Sequence, residues 1–295
     1  MRSPLISCVS VCVAIIAFAN FSVAADKSSD TAMTLIVMDP MAAPLACDCV
    51  KGYAQRKYDE LGTFLNGKLN RKVTIVWAES LEAALEKSGG KADLIIGKHS
   101  VVLADAKEAH LEFKPLARLT DLKDKVVQTG LFVVRSNDPA KTMEDLKGYR
   151  ILFGPSDCDE KSAAPMALLK DHKIAPPSPV ETSPSCSTAA LTLMELGADV
   201  KAAAVISSYA EPLLEGCGKV KKGDLRVIGE SKPVPFITLF ARLSFSETEM
   251  SDISAALDEV GLDAKLLIDL ETASGFVPWE ESAVSTTSVD AKKKP

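Results

Sequence analysis

The stretch YRILFGPSDCDEKSAAP, residues 149–165, decides how the rest of the chain is read. Residues 150–153 form a short apolar run of strand length, and Gly154 and Pro155 end it. Ser156 or Asp157 then stands where a helix N-cap belongs. Glu160 follows Asp157 at the capping-box spacing, and Met166, Leu168 and Leu169 carry a helix onward. A strand that turns tightly into a helix leaves the first backbone N–H groups without intrahelical partners, at the positive end of the helix dipole. Such a turn is an anion cradle or an ordinary capped junction. The chain repeats the construction several times with unusual residues in each loop, and that repetition weighs toward a cradle.

Upstream, residues 34–38 and 73–77 read as strands, and a helix over residues 53–69 places Tyr58, Leu61, Phe64, Leu65 and Leu69 on one face. A short helix around Leu81 and Leu85 stops at Gly89 and Gly90. Residues 93–97 form a third strand, which leads through Lys98, His99 and Ser100 into another helix. Alternating strands and helices predict parallel pairing with helices on both faces. Residues 113–119 and 130–135 are extended. Downstream of the central stretch come a Pro-rich connection, a short strand at 180–182, a helix over 188–196 and a strand at 202–206 that ends in Ser207, Ser208 and Tyr209. Residues 225–228 and 235–242 are again extended, and Ser246 with Glu249 forms a capping box for a helix through Val260. The fold class expected is α/β, with two lobes joined by a two-segment hinge. Each lobe is a mostly parallel sheet flanked by helices. Lobe I spans residues 31–125, lobe II residues 126–235, a return segment of lobe I residues 236–282, and a polar tail residues 283–295. Ligands in such sheets bind beyond the carboxyl ends of the strands.

The 295 residues carry a net charge of −6, which argues against nucleic acid or an anionic membrane surface as partner. Arg2, the apolar run from Val9 to Phe18 and the small residues up to Ala24 read as a secretory signal peptide (residues 1–24) cleaved after Ala24, which makes the mature chain an exported one. Five cysteines lie beyond that point: Cys47, Cys49, Cys158, Cys186 and Cys217. Outside the cytosol disulfides are the default, and an odd number leaves one thiol over. Cys158 with Cys186 is the preferred pair, since both follow strands of the same lobe. The rival reading takes Cys47, Cys49, Cys158 and Cys186 as ligands of a soft metal, with Met38 and Met41 close by.

Four segments carry a family resemblance: ADLIIG at residues 92–97, DLKGYRILFG at 145–154, LGADVKAAAV at 196–205, and LRVI at 225–228 leading to PVP at 233–235. Over residues 34–260 the chain resembles the type 2 periplasmic solute-binding proteins of phosphate, phosphite and phosphonate ABC transporters. The resemblance implies a monomeric two-lobed receptor that closes on a small, anionic, phosphonate-like solute or other oxyanion. It implies an inner-membrane ABC transporter as partner, no cofactor and no catalysis. The central loop departs from the family's Ser/Thr-rich pattern: Ser156-Asp157-Cys158-Asp159-Glu160 has three acidic residues, which repel an oxyanion unless a cation sits among them.

The side chains expected to face a ligand are Lys98, His99, Ser100, Ser156, Asp157, Cys158, Ser185, Ser208 and Tyr209. A lysine and helix N-termini suit an anion, each charge-assisted hydrogen bond being worth about 1.5–3 kcal/mol net. Solvated loop residues are the bland alternative for any one of them. No catalytic triad, Walker loop or dinucleotide glycine fingerprint occurs. An enzyme would need Cys158 as nucleophile, activated at a helix N-terminus. The alternative to a receptor is a cysteine-containing or metal-carrying accessory module for a periplasmic redox enzyme.

Overall fold

The computed structural model describes residues 32–46, 54–197 and 199–280. In chain order the first half contains β1 (Met33–Met38), α1 (Tyr58–Leu69), β2 (Val73–Trp77), α2 (Leu81–Ser88), β3 (Leu94–Lys98), α3 (His99–Glu108) and β4 (Phe113–Leu119). The middle contains β5 (Val127–Gln128), β6 (Gly130–Arg135), β7 (Arg150–Phe153), α4 (Ala163–Asp171), β8 (Glu181–Thr182), α5 (Cys186–Glu195), β9 (Ala202–Ser207), α6 (Ala210–Gly216), β10 (Leu225–Glu230) and β11 (Val234–Pro235). The chain closes with β12 (Ile237–Arg242), α7 (Glu247–Asp258), α8 (Ala264–Asp269) and β13 (Phe276–Pro278).

These strands make a six-stranded sheet ordered β13-β4-β12-β3-β1-β2, a five-stranded sheet ordered β10-β6-β9-β7-β8, and a two-stranded ribbon of β5 with β11. The architecture is the two-lobed α/β type read from the sequence. The pairing is more mixed than the mostly parallel sheets expected. β1 runs parallel to β2 and β3, and β7 runs parallel to β8 and β9. β12 lies antiparallel to β3 and β4, and β6 antiparallel to β9 and β10. The cause is the path of the chain. It leaves the first sheet through β5 and re-enters through β11 and β12, so the returning strand runs against those already there. β9 lies at the centre of the second sheet, and β7 one strand from its edge.

Both faces of each sheet are covered, which is why the strands read as continuous apolar runs rather than alternating ones. Leu35 and Val37 of β1 and Leu94 and Ile96 of β3 pack with Tyr58, Leu61 and Leu65 of α1 and Ile253 and Leu257 of α7. Ile36 and Ile95 point the other way, onto Leu81 and Ala84 of α2 and Val102 of α3. In the second sheet Leu152, Ala204 and Ile206 meet α5 and α6, whereas Ile151, Phe153 and Val205 meet Leu169 of α4. Each fully buried aliphatic side chain contributes about 1.5–3 kcal/mol. Helix ends follow their sequence signals. Ser80 caps α2 by accepting the Ala83 N–H, Gly89 ends it at φ 65°, and the Ser246–Glu249 capping box opens α7.

The cap expected at Asp157 does not form. The chain makes a 3-10 turn over Asp159–Lys161 before α4 begins at Ala163, and neither junction has a side-chain cap hydrogen bond. Glu160 reaches instead toward a buried lysine of the other sheet. The helix expected from residue 53 starts at Tyr58.

Candidate functional site

Lys98 is the last residue of β3, at the carboxyl end of the first sheet, and its side chain crosses to the second. Its Nζ donates to Glu160 Oε1 at 2.6 Å and to Cys158 Sγ at 3.3 Å. The same carboxylate oxygen accepts from Ser207 Oγ at 2.8 Å, and the Cys158 thiol donates to Glu160 Oε2 at 3.1 Å. Lys98, Cys158, Glu160 and Ser207 are all buried. The rings of Tyr209 and Phe236 lie 5.5 and 5.9 Å from the ammonium. A second polar contact joins the halves: Ser100 Oγ donates to the Asp157 carbonyl at 2.7 Å and accepts the Asp159 N–H at 3.1 Å. The cation that the acidic loop calls for is thus supplied by the chain itself.

Electrostatics follow from this pairing. Burial alone would raise the Glu160 carboxyl, but the Lys98 ammonium, its hydrogen bond, the Cys158 thiol and the Lys161 charge outweigh it and hold the group down at about 2. Burial works against the Lys98 charge, and the adjacent Glu160 reverses this, so the ammonium sits well above the ordinary lysine range. Burial pushes the Cys158 thiol up to about 12, beyond what Lys98 restores. A thiol so placed is no thiolate at neutral pH, and the nucleophile reading of Cys158 fails on that ground.

Beside this cluster lies a cavity of about 250 Å3 bordered by Lys98 and Val101 of the first half and by Asp157, Cys158, Lys161, Ser185, Cys186 and Tyr209 of the second. The N-terminus of α5 opens onto it. Ser185 is the N-cap, its Oγ accepting the Thr188 N–H at 3.0 Å. Of the residues expected at a site, Lys98, Asp157, Cys158, Ser185 and Tyr209 border the cavity. Three do not. His99 stacks on Trp279 with ring centroids 4.6 Å apart and shares a hydrogen bond with Thr238 Oγ1, because the helix that starts there turns its ring back onto the first sheet. Ser156 is exposed at the turn. Ser208 donates to Gln128 Oε1 at 2.6 Å and accepts the Thr129 N–H, and it borders a separate recess beside the β5–β11 ribbon. Ser100 is engaged in the interlobe contact described above.

The Cys158–Cys186 disulfide is absent. Both residues are free, buried thiols. Cys158 faces Glu160 and Lys98, while Cys186 Sγ accepts the Ser207 N–H at 3.4 Å. Each sulfur has its own partners, and nothing draws the two together. Among the described residues no group of three or more His, Cys, Asp or Glu side chains is placed to hold a metal ion. Cys47 and Cys49, the other metal candidates, lie outside the described residues, as do the signal-peptide stretch and the polar tail.

Sequence reasoning missed Glu160, Ser207 and Lys161. Glu160 carried a signal, the capping-box spacing, but it pointed to a local role. Lys161 carried none.

A family model described as ABC transporter, phosphonate, periplasmic substrate-binding protein matches residues 52–284. The chain belongs to this family. Periplasmic binding proteins of this family take up small solutes and deliver them to an ABC transporter, so the role is transport and not catalysis. No curated protein matches the chain by sequence. Solved structures share its fold. A binding-protein component of an ABC phosphonate transporter from Pseudomonas aeruginosa is 14% identical, with a TM-score of 0.63 over 85% of this chain and 82% of its own. PhnD1 from Prochlorococcus marinus, in complex with methylphosphonate, is 14% identical, with a TM-score of 0.61 over 85% of this chain and 93% of its own. A Xanthomonas citri protein bound to ATP is 16% identical, with a TM-score of 0.62 over 85% of this chain and 92% of its own. Among the described residues no helix is long and apolar enough to cross a membrane.

Proposed function

We propose that the protein is an exported solute receptor, freed of its signal peptide, whose two lobes close as a monomer on a small anionic solute and present it to an inner-membrane ABC transporter. The observation that carries this reading is the cavity itself. It lies where strand ends of both sheets meet, bordered by Lys98 from one and by the Cys158–Lys161 loop and the α5 N-terminus from the other. A solute held there touches both lobes at once, which is what couples binding to closure. The β5–β11 ribbon, through which both connections pass, is the hinge of this reading. The anionic character of the solute is supported by the helix N-terminus and Lys161 at the cavity wall. The methylphosphonate and ATP named for the two relatives of similar fold agree with it.

Native mass spectrometry of the protein taken from its own periplasm tests the proposal, followed by small-angle scattering with and without the recovered solute. A co-purifying small molecule and a smaller radius of gyration on adding it are expected. A chain that carries no solute and never compacts overturns the reading.

A further inference from the structure

Among the described residues Lys161 is the cavity-bordering lysine that no ion pair holds; the Glu160 carboxylate that feels its charge is already paired with Lys98. Lys161 is 5% exposed, and among the described residues no hydrogen bond or ion pair engages its ammonium. Its aliphatic stem lies across Gly154: a Cβ at that position would collide with Lys161 Cβ and crowd its Cδ and Cε. Gly154 sits at the end of β7, and its N–H donates to the Lys161 carbonyl at 3.0 Å. The turn is therefore built around this lysine. An ammonium without an ion-pair partner, carried by a largely buried side chain at the wall of a cavity, favours an anion there.

The remaining groups limit what that anion is. Lys98 is neutralised by Glu160 and offers no charge to a ligand. Asp157 and Glu79 border the cavity and oppose a second negative charge. Much of the remaining wall is apolar, with Met38, Met41, Leu45, Val101, Leu213 and Leu214. A cavity of about 150 Å3 holds a benzene molecule, so about 250 Å3 accepts a body about two-thirds larger.

Resting on the receptor reading above, we propose that the solute is an organic monoanion with an apolar body. Its single anionic head pairs with the Lys161 ammonium and its hydrocarbon part lies against the methionine and leucine wall. A bare tetrahedral dianion has one cation to meet and leaves that wall unfilled.

Titration calorimetry of the purified chain with straight-chain carboxylates from acetate to octanoate, 1-hexanol, inorganic phosphate and methylphosphonate tests the assignment. Affinity should rise about three- to fourfold per added methylene until the cavity is filled. Hexanoate should bind at least tenfold more tightly than 1-hexanol, phosphate or methylphosphonate. Lys161→Met should reduce hexanoate affinity at least tenfold and leave 1-hexanol unchanged, with a melting curve to establish that the variant is folded. The comparison of hexanoate with 1-hexanol in the wild-type chain tests the charge requirement even if the variant does not fold. Phosphate or methylphosphonate binding more tightly than hexanoate, no dependence on chain length, no carboxylate binding, or full hexanoate affinity in folded Lys161→Met each overturns the proposal. A different solute recovered with the protein, together with compaction, would then leave the receptor reading standing. Neither solute nor compaction would remove both.

Discussion

Two buried ionic clusters of similar composition do different things in this molecule. In the first, Asp39 accepts from Arg56 Nη1 at 2.8 Å, from Tyr58 Oη at 2.5 Å and from the Met41 N–H at 2.8 Å, while Arg56 Nε donates to the Leu270 carbonyl. All its members belong to the half built on the six-stranded sheet, and it ties the loop after β1 to the start of α1. In the second, Lys98 and Glu160 come from different halves. The first cluster cannot be exposed without unfolding. The second spans the two halves, so the opening proposed for the receptor would expose it and let water solvate both charges. The same chemistry thus stabilises a fold in one place and a conformation in the other.

Variants separate the two. Arg56→Met leaves the Asp39 carboxylate buried with no cation, and urea unfolding should show a loss of about 3–5 kcal/mol. Glu160→Gln leaves Lys98 without its counter-charge, but opening of the cleft hydrates the ammonium, so the loss should be smaller, about 1–3 kcal/mol, with a larger radius of gyration by small-angle scattering. Equal losses in the two variants, with no expansion in the second, would break the comparison.

Acid distinguishes the clusters from their surroundings. Burial pushes His99 down to about 4 from its ordinary 6.5. The unfolded chain binds this proton more readily than the folded one. The neutral imidazole therefore contributes stability above pH 6.5 that is lost as pH falls toward 4. After allowance for partial solvent screening the loss is about 1–2 kcal/mol, and replacing His99 with Phe should flatten melting temperature against pH across that window. The Glu160 carboxylate, held down at about 2, keeps its contribution through this range and loses it only as pH falls from about 4.5 toward 2. Cleft opening near pH 5, seen by scattering, would contradict this order. The smallest effect belongs to Asp157→Ala. Its side chain caps no helix, so the change should stay within about 0.5 kcal/mol by thermal melting. A loss of 1 kcal/mol or more would restore the cap read from the sequence.

The fold was legible because its strands are short apolar runs closed by turn residues, and because Ser80, Gly89, Ser246 and Glu249 act within a few residues of their own positions. The candidate site was legible in part, for the opposite reason. Glu160 stands at the capping-box spacing whether or not a buried cation waits sixty-two residues upstream, and the spacing alone favours the local role. The place of Lys98 at a strand end could be read, but its partner could not. Cys158 and Cys186 follow strands of one sheet, as expected, yet hydrogen bonds from different groups hold the two sulfurs apart. His99 and Ser100 are adjacent in sequence, but the first turn of α3 sends one ring onto Trp279 and the other hydroxyl across the cleft.

The β5–β11 ribbon has a mechanical consequence. Val127 and Gln128 pair with Pro235 and Val234, so the two connections run side by side as one piece. Two segments fixed to each other define a line. Rotation about that line changes neither segment's length, whereas a swivel about any perpendicular direction stretches one and compresses the other. For the hinge proposed here, that geometry favours one of the three rotations over the other two. The proposed closure would then be a change in a single angle, and a pair of fluorophores placed on residues 88 and 195 would read it as one distance.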